Sequence, residues 1–132
     1  MRIVLDTNAY IDFALGKPDV VDLLATQSRE ILLPAIVMGE LFYGFMKGGR
    51  IRYNEQKLHQ FISDLDVSII RVNEEVARKY AVIFLDLTNK GARIPINDIW
   101  IAACCMSVGG TLLTRDHHFE QVGQIDKIIL PH

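Results

Sequence analysis

The chain has 132 residues, half of them hydrophobic, and a formal net charge of −2. That length fits one domain, with roughly two thirds of the unfolded chain's surface buried on folding. The charge balance and a pI near 6.0 exclude a generally basic nucleic-acid-binding surface, so any polyanion would have to be held by a local patch or by a bound cation.

Residues 2–5 are short, β-branched and apolar and end in the turn formers Asp6-Thr7-Asn8, which predicts a buried strand leading into a helix. Pro18 opens a helical segment through Val20-Val21-Asp22-Leu23-Leu24, and Glu30-Ile31-Leu32-Leu33-Pro34 reads as a second buried strand stopped by proline. A helix is predicted from 35 to 46, broken at Lys47-Gly48-Gly49-Arg50. Another follows, with Leu58, Phe61, Ile62 and Leu65 on one face, the pair forming a helical hairpin. Residues 67–72 alternate as a third strand, 74–89 form a helix ended by Gly91, and a loop through Pro95 leads to a helix capped by Asn97 and running to Ser107. Gly109-Gly110 turns the chain into a fourth strand at 111–114, and 128–130 make a short fifth. Apolar strands alternating with helices indicate a parallel sheet covered on both faces.

Other features set the expected environment. Cys104 and Cys105 are neighbours in an apolar helical stretch, where adjacent side chains diverge too far for an ordinary disulfide, so both are expected in the core of a cytoplasmic protein. No run approaches a membrane span and no signal-peptide pattern opens the chain. A mean hydropathy of +0.20 is apolar for a small soluble domain and predicts surface buried against another chain, with a homodimer expected.

Four carboxylates interrupt or end apolar runs: Asp6 after Ile3-Val4-Leu5, Glu40 within 36–42, Asp98 before Ile99-Trp100-Ile101, and Asp116 after Leu112-Leu113-Thr114-Arg115. An ionised carboxylate withdrawn from water must be paired, hydrogen-bonded, protonated or bound to a cation. Singly, Asp6 and Asp116 are explained by Asx turns, and Asp98 by the positive end of a helix. Glu40 is harder to dismiss, because no other charge lies between Leu33 and Met46. Parallel sheets bind ligands beyond the carboxyl ends of their strands, and all four acids are placed to face such a crevice. A hard divalent cation is the natural counter-charge, and a cation held by carboxylates suits phosphodiester chemistry.

The combination Asp6-Thr7-Asn8, Glu40-Leu41-x-x-Gly44, Asn97-Asp98-x-x-Ile101-Ala102-Ala103 and Thr114-Arg115-Asp116-x-x-Phe119 resembles the PIN-domain ribonucleases, specifically the VapC toxins of type II toxin–antitoxin pairs. The resemblance spans nearly the whole chain. It implies an α/β fold: a single three-layer α/β/α PIN-like nuclease domain over 1–132, with a parallel sheet of about four to five strands and a helical hairpin insertion. It further implies that Asp6, Glu40, Asp98 and Asp116 are catalytic and hold Mg²⁺, with Mn²⁺ as a substitute, Asp116 being the position where relatives can carry Asn. The implied reaction is hydrolysis of RNA, transfer RNA first, with a cognate VapB-like antitoxin as inhibitor that wraps a hydrophobic groove.

Asn8, Asn97 and Thr114 are expected to support the acids' rotamers, while Thr7 serves the turn. Arg115 is a candidate phosphate or acid partner, with an ordinary salt bridge an equal explanation. Lys47, Arg50 and Arg52, with Lys57, give a local positive excess suited to RNA phosphates or to a solvated hairpin tip. His117 and His118 are expected as loop residues, because Mg²⁺ prefers oxygen. Trp100 is expected to pack rather than to stack a base. A haloacid dehalogenase-like phosphatase also begins with Asp after a first strand but needs a second Asp where this chain has Asn8. A metal-independent ribonuclease would rely on histidines such as His59, His117 and His118. A non-catalytic binding module would leave the four acids without a task.

Overall fold

The computed structural model describes residues 1–132. Five strands, β1 (Arg2–Leu5), β2 (Glu30–Pro34), β3 (Ser68–Ile70), β4 (Thr111–Thr114) and β5 (Asp126–Ile129), form one parallel sheet in the order β3-β2-β1-β4-β5. The helices are α1 (Thr7–Ala14), α2 (Pro18–Gln27), α3 (Ala35–Lys47), α4 (Ile51–Asp64), α5 (Glu74–Asn89) and α6 (Ile96–Val108), and a 3₁₀ turn spans His117–Gln121. The first three connections between successive strands each carry two α-helices and the last, from β4 to β5, carries the 3₁₀ turn, so every parallel pair is joined by a crossover. The result is the expected α/β architecture with helices over the sheet, and α3 and α4 form the expected hairpin.

The core is built on the central strands. Ile3, Val4, Leu5, Leu112 and Leu113 are all fully buried, in register as Val4 opposite Leu32 and Leu112, and Leu5 opposite Leu113. Gly110 sits at the entrance to β4, where a Cβ would lie 2.8 Å from Val4 Cγ2. Only glycine lets β4 enter this close to β1. Gly109, at φ +61°, takes the left-handed conformation that ends α6. On the α6 side, Trp100 stacks on Tyr80 of α5, with ring centroids 3.9 Å apart. It is a helix-packing residue, as expected. Cys104 and Cys105 are buried and unpaired, and burial pushes their thiols up to about 11 and about 12 respectively, which keeps both protonated.

Three boundaries differ from the sequence reading. The third strand is Ser68–Ile70 rather than 67–72, because β3 is an edge strand and its only partner, β2, turns into α3 immediately after Pro34. The fifth begins at Asp126 rather than 128, since all four residues of β4 find partners on it. Asn97 does not cap its helix: Pro95 holds the extended N-cap position, with ψ 145°, and Asn97 lies within the first turn.

The order β3-β2-β1-β4-β5 means that successive strands run outward from β1 on one side, after which the chain returns to lay β4 on β1's other side. The connections thus diverge between the carboxyl ends of β1 and β4, and a crevice opens at such a switch point. Asp6 and Asp116 follow those two strands. No helix is long and apolar enough to cross a membrane.

Candidate active site

Asp6 sits at the floor of this crevice. As N-cap of α1 it accepts from Ala9 N at 2.9 Å through Oδ1, while Oδ2 accepts from Thr114 Oγ1 at 2.5 Å. Burial raises its carboxyl above the usual range despite these two donors, and Asp116 and Asp12 add to the effect. With both oxygens oriented by protein donors, Asp6 is poorly presented as the nucleophile that a phosphatase of the haloacid dehalogenase kind requires. Thr114 also accepts from Asp116 N at 2.9 Å, so one hydroxyl couples the first acid to the loop carrying the last.

Glu40 enters from the second turn of α3 and is oriented by two donors. Thr7 Oγ1 donates to Oε1 at 2.6 Å, and Asn97 Nδ2 donates to Oε2 at 3.4 Å. Asp98, in the first turn of α6, has a side chain only 17% exposed. Its carboxyl is pushed up to about 6, first by burial and then by Asp116, Glu40 and Asp6, with His118 acting the other way. The four acids therefore share one electrostatic neighbourhood. No Lys or Arg ion-pairs with any of them.

The tightest grouping of donor atoms is Asp98, Asp116 and His118, which each offer one atom within 4.8 Å of the others. Asp116 caps the 3₁₀ turn by accepting from His118 N at 2.8 Å, which folds the His118 ring back over the acids. This corrects the expectation that His118 is an ordinary loop residue. Its neighbour His117 turns away to Glu120, with Nδ1 and Oε1 2.7 Å apart. The donor chemistry suits a divalent cation: converging carboxylates, no competing Lys or Arg, and Asp98 held above its usual pKa by burial and, after it, by the other three acids.

The PIN domain family model matches residues 3–125. The chain belongs to the PIN-domain family. Ribonuclease VapC2 of Rickettsia felis is 32% identical over 135 residues, covering 98% of this chain and 96% of the relative. Ribonuclease VapC5 of Mycobacterium tuberculosis is 29% identical over 122 residues, covering 88% and 84%. Among solved structures, a chain of VapBC2 from Rickettsia felis bound to a DNA fragment from their promoter superposes with a TM-score of 0.83 at 28% identity, with 97% and 98% of the two chains covered. A chain of FitAB bound to the IR36 DNA fragment superposes at 0.79 and 26%, each chain 98% covered. This PIN domain is thus VapC-like.

Several candidate residues of this PIN domain do other work than the sequence suggested. Arg115 is committed to the scaffold: Nε donates to Asp12 Oδ2 at 2.6 Å, Nη2 reaches both oxygens of Asp19 at 2.9 Å, and Nη1 donates to the Pro131 carbonyl. All three nitrogens are occupied, so its expected service to phosphate gives way to tying α1, α2 and the chain end to β4. Asn8 is exposed and hydrogen-bonds to none of the acids; it lines a polar cavity of about 530 Å³ with Arg93, Asp116 and His118. Lys47, Arg50 and Arg52 are exposed at the hairpin, Lys47 over the Tyr43 ring and Arg50 over Tyr53 at 4.0 Å. Lys47 lies seven residues beyond Glu40 on α3, or ~10 Å along the helix axis.

Two contributors escaped the sequence reading. Thr7 was given to the turn alone, yet its hydroxyl orients Glu40, and its adjacency to Asp6 at the first turn of α1 was the available signal. Asp12 is buried and anchors Arg115 and Lys17. Nothing local marked it, because its main partner is 103 residues away.

Proposed function

We propose that this protein is a metal-dependent endoribonuclease, the toxin of a type II toxin–antitoxin pair, acting in the cytoplasm on transfer RNA or another RNA of translation. The observation that carries the reading is the set of four acids at the switch point of the sheet with no Lys or Arg to neutralise them. Such a site invites a hard divalent cation, Mg²⁺ or Mn²⁺, which when bound supplies charge neutralisation at the scissile phosphate and activation of the attacking water.

Asp98 and Asp116 are the residues best disposed to hold the cation directly, with Asp6 completing the floor. Thr114 and Ala9 fix the Asp6 carboxylate in one rotamer, which removes the ordering cost at the moment the site is filled. Thr7 and Asn97 hold Glu40 toward Asp98. The low-dielectric floor made by β1 and β4 strengthens each of these interactions relative to water. The names of the relatives support RNA as substrate, and the toxin–antitoxin complexes among the structural neighbours support a small VapB-like protein as inhibitor. Exposed Tyr43, Met46, Leu85 and Ile96 leave apolar surface for that partner or for a second copy in a homodimer.

The test is cleavage of total RNA by the purified protein with Mg²⁺, with EDTA, and with Glu40→Gln and Asp98→Asn. Sequencing of RNA 5′ ends after induced expression identifies the target. Cleavage is expected only in wild-type protein with metal. Undiminished cleavage by both variants, or cleavage that persists in EDTA, overturns the reading.

A further inference from the structure

His118 brings an imidazole nitrogen, able to bind a metal, in among the oxygens of the acidic crevice. Its Nδ1 lies 3.1 Å from Asp116 Oδ1 and 3.9 Å from Asp98 Oδ2. An octahedral ion with ligand bonds of ~2.1 Å holds neighbouring donors ~3 Å apart and opposite donors ~4.2 Å apart. The two His118 spacings fall within that span and all three donors lie within 4.8 Å of one another, so a small closing movement brings them onto a common ion. The backbone prepares the arrangement: Asp116 Oδ1 accepts from the His118 N–H at 2.8 Å, which fixes the turn from which the ring returns. The ring itself is 54% exposed, so it has room to settle on an ion. His117, one residue earlier, faces Glu120 instead and provides a built-in contrast.

Building on the metal-nuclease reading, we propose that His118 is a protein ligand of the catalytic cation through Nδ1, beside Asp98 and Asp116, and that this nitrogen makes the site favour Mn²⁺ over Mg²⁺. Mg²⁺ strongly prefers oxygen donors, whereas imidazole suits first-row transition ions. A site of carboxylates alone would bind the two ions by charge and size. One imidazole separates them. The competing account gives His118 only the role of a polar partner to Asp116, and that role carries no metal preference.

The test uses the full chain without RNA. Mn²⁺ binding is measured by calorimetry and by pulsed electron paramagnetic resonance, which detects a directly bound ¹⁴N, for wild type, His118→Gln, His118→Asp and His117→Gln. Mg²⁺ competition gives the selectivity. Wild type and His117→Gln are expected to show the nitrogen coupling, and His118→Gln to lose it with a ~10-fold or greater fall in Mn²⁺ affinity. His118→Asp restores an oxygen donor and shifts preference back toward Mg²⁺ without the coupling. Mn²⁺ bound without nitrogen coupling in wild type, or coupling that survives His118→Gln, refutes the assignment and leaves the nuclease reading standing. A wild-type protein that binds no divalent ion overturns both.

Discussion

Replacing Asp98 by Asn should make the metal-free protein more stable, and only at neutral to alkaline pH. The Asp98 carboxyl titrates at about 6 in the folded chain against an ordinary value of 3.8. A folded pKa above the unfolded one means that the protonated acid favours folding. That contribution is complete below pH 3.8 and is lost as pH rises through about 6, so at pH 8 the ionised group opposes folding. A difference of roughly two pH units at ~1.4 kcal/mol each sets a ceiling of about 3 kcal/mol. The side chain is 17% exposed in an open crevice, and water screens part of the repulsion, which leaves ~1–2 kcal/mol for Asn to recover. For a chain of this length that corresponds to a rise in Tm of ~3–8 °C. The measurement is thermal or urea unfolding in EDTA at pH 4, 5, 6 and 8 for wild type and Asp98→Asn. Asp6 shifts in the same direction, so both versions lose some stability toward pH 8, but wild type loses more. Asp19 and Asp86, whose carboxyls are lowered by Arg115 and Lys90, exert their pH dependence below 3.8 and do not enter this window. Saturating metal reverses the ranking, since an ion at about 100 times its Kd adds ~2.7 kcal/mol to the protein that binds it. An equal gain for Asn at pH 4 and pH 8, or none at either, would refute the electrostatic argument.

Thr114→Val removes the donor to Asp6 and the acceptor for Asp116 N at a buried position, and is expected to cost ~1–3 kcal/mol in urea unfolding, with Thr114→Ser recovering most of it; equal stability of Val and Ser would show that the hydroxyl is idle. Arg115→Met leaves the largely buried Asp12 carboxylate with the more exposed Lys17 as its one cationic partner and is expected to cost ~2–4 kcal/mol. The same variant should cleave RNA with an unchanged Michaelis constant at a temperature where it is folded, and a large rise in that constant would return Arg115 to phosphate binding. Gly110→Ala forces a Cβ against Val4 Cγ2 and is expected to cost ~1–3 kcal/mol by calorimetry; a neutral result would mean that β1 and β4 yield without loss.

The legible part of this molecule was the part whose causes are local. β1, β2 and β4 are short apolar runs closed by Asp, Pro and Thr-Arg-Asp, and their ends place Asp6 and Asp116 at the crevice by period and topology alone. Asn97 was misread because Pro-Ile-Asn-Asp contains two plausible starts for a helix, and the extended residue proved to be Pro95. That two-residue shift removes the capping role and leaves Asn97 its other expected task, holding Glu40. His118 depended on a 3₁₀ turn of five residues, a conformation with no hydrophobic period to announce it. Arg115 was undecidable in sequence because its partners, Asp12 and Asp19, come from the other end of the chain.

The acids are tolerated for a reason that also makes them useful. A parallel α/β chain leaves each strand at the same edge of the sheet and enters its next helix there, so helix N-termini gather around the crevice. Asp6 caps α1, Asp98 lies in the first turn of α6 and Asp116 caps the 3₁₀ turn. Backbone N–H groups donate to the Asp6 and Asp116 carboxylates, and the positive end of α6 favours Asp98, all without a basic side chain. Lone pairs therefore stay open, and the summed negative field is not cancelled within the chain. That field attracts a cation and repels an RNA phosphate until the cation is present. On the nuclease reading, affinity for metal and affinity for RNA are consequently coupled, each ligand tightening the other by the same factor.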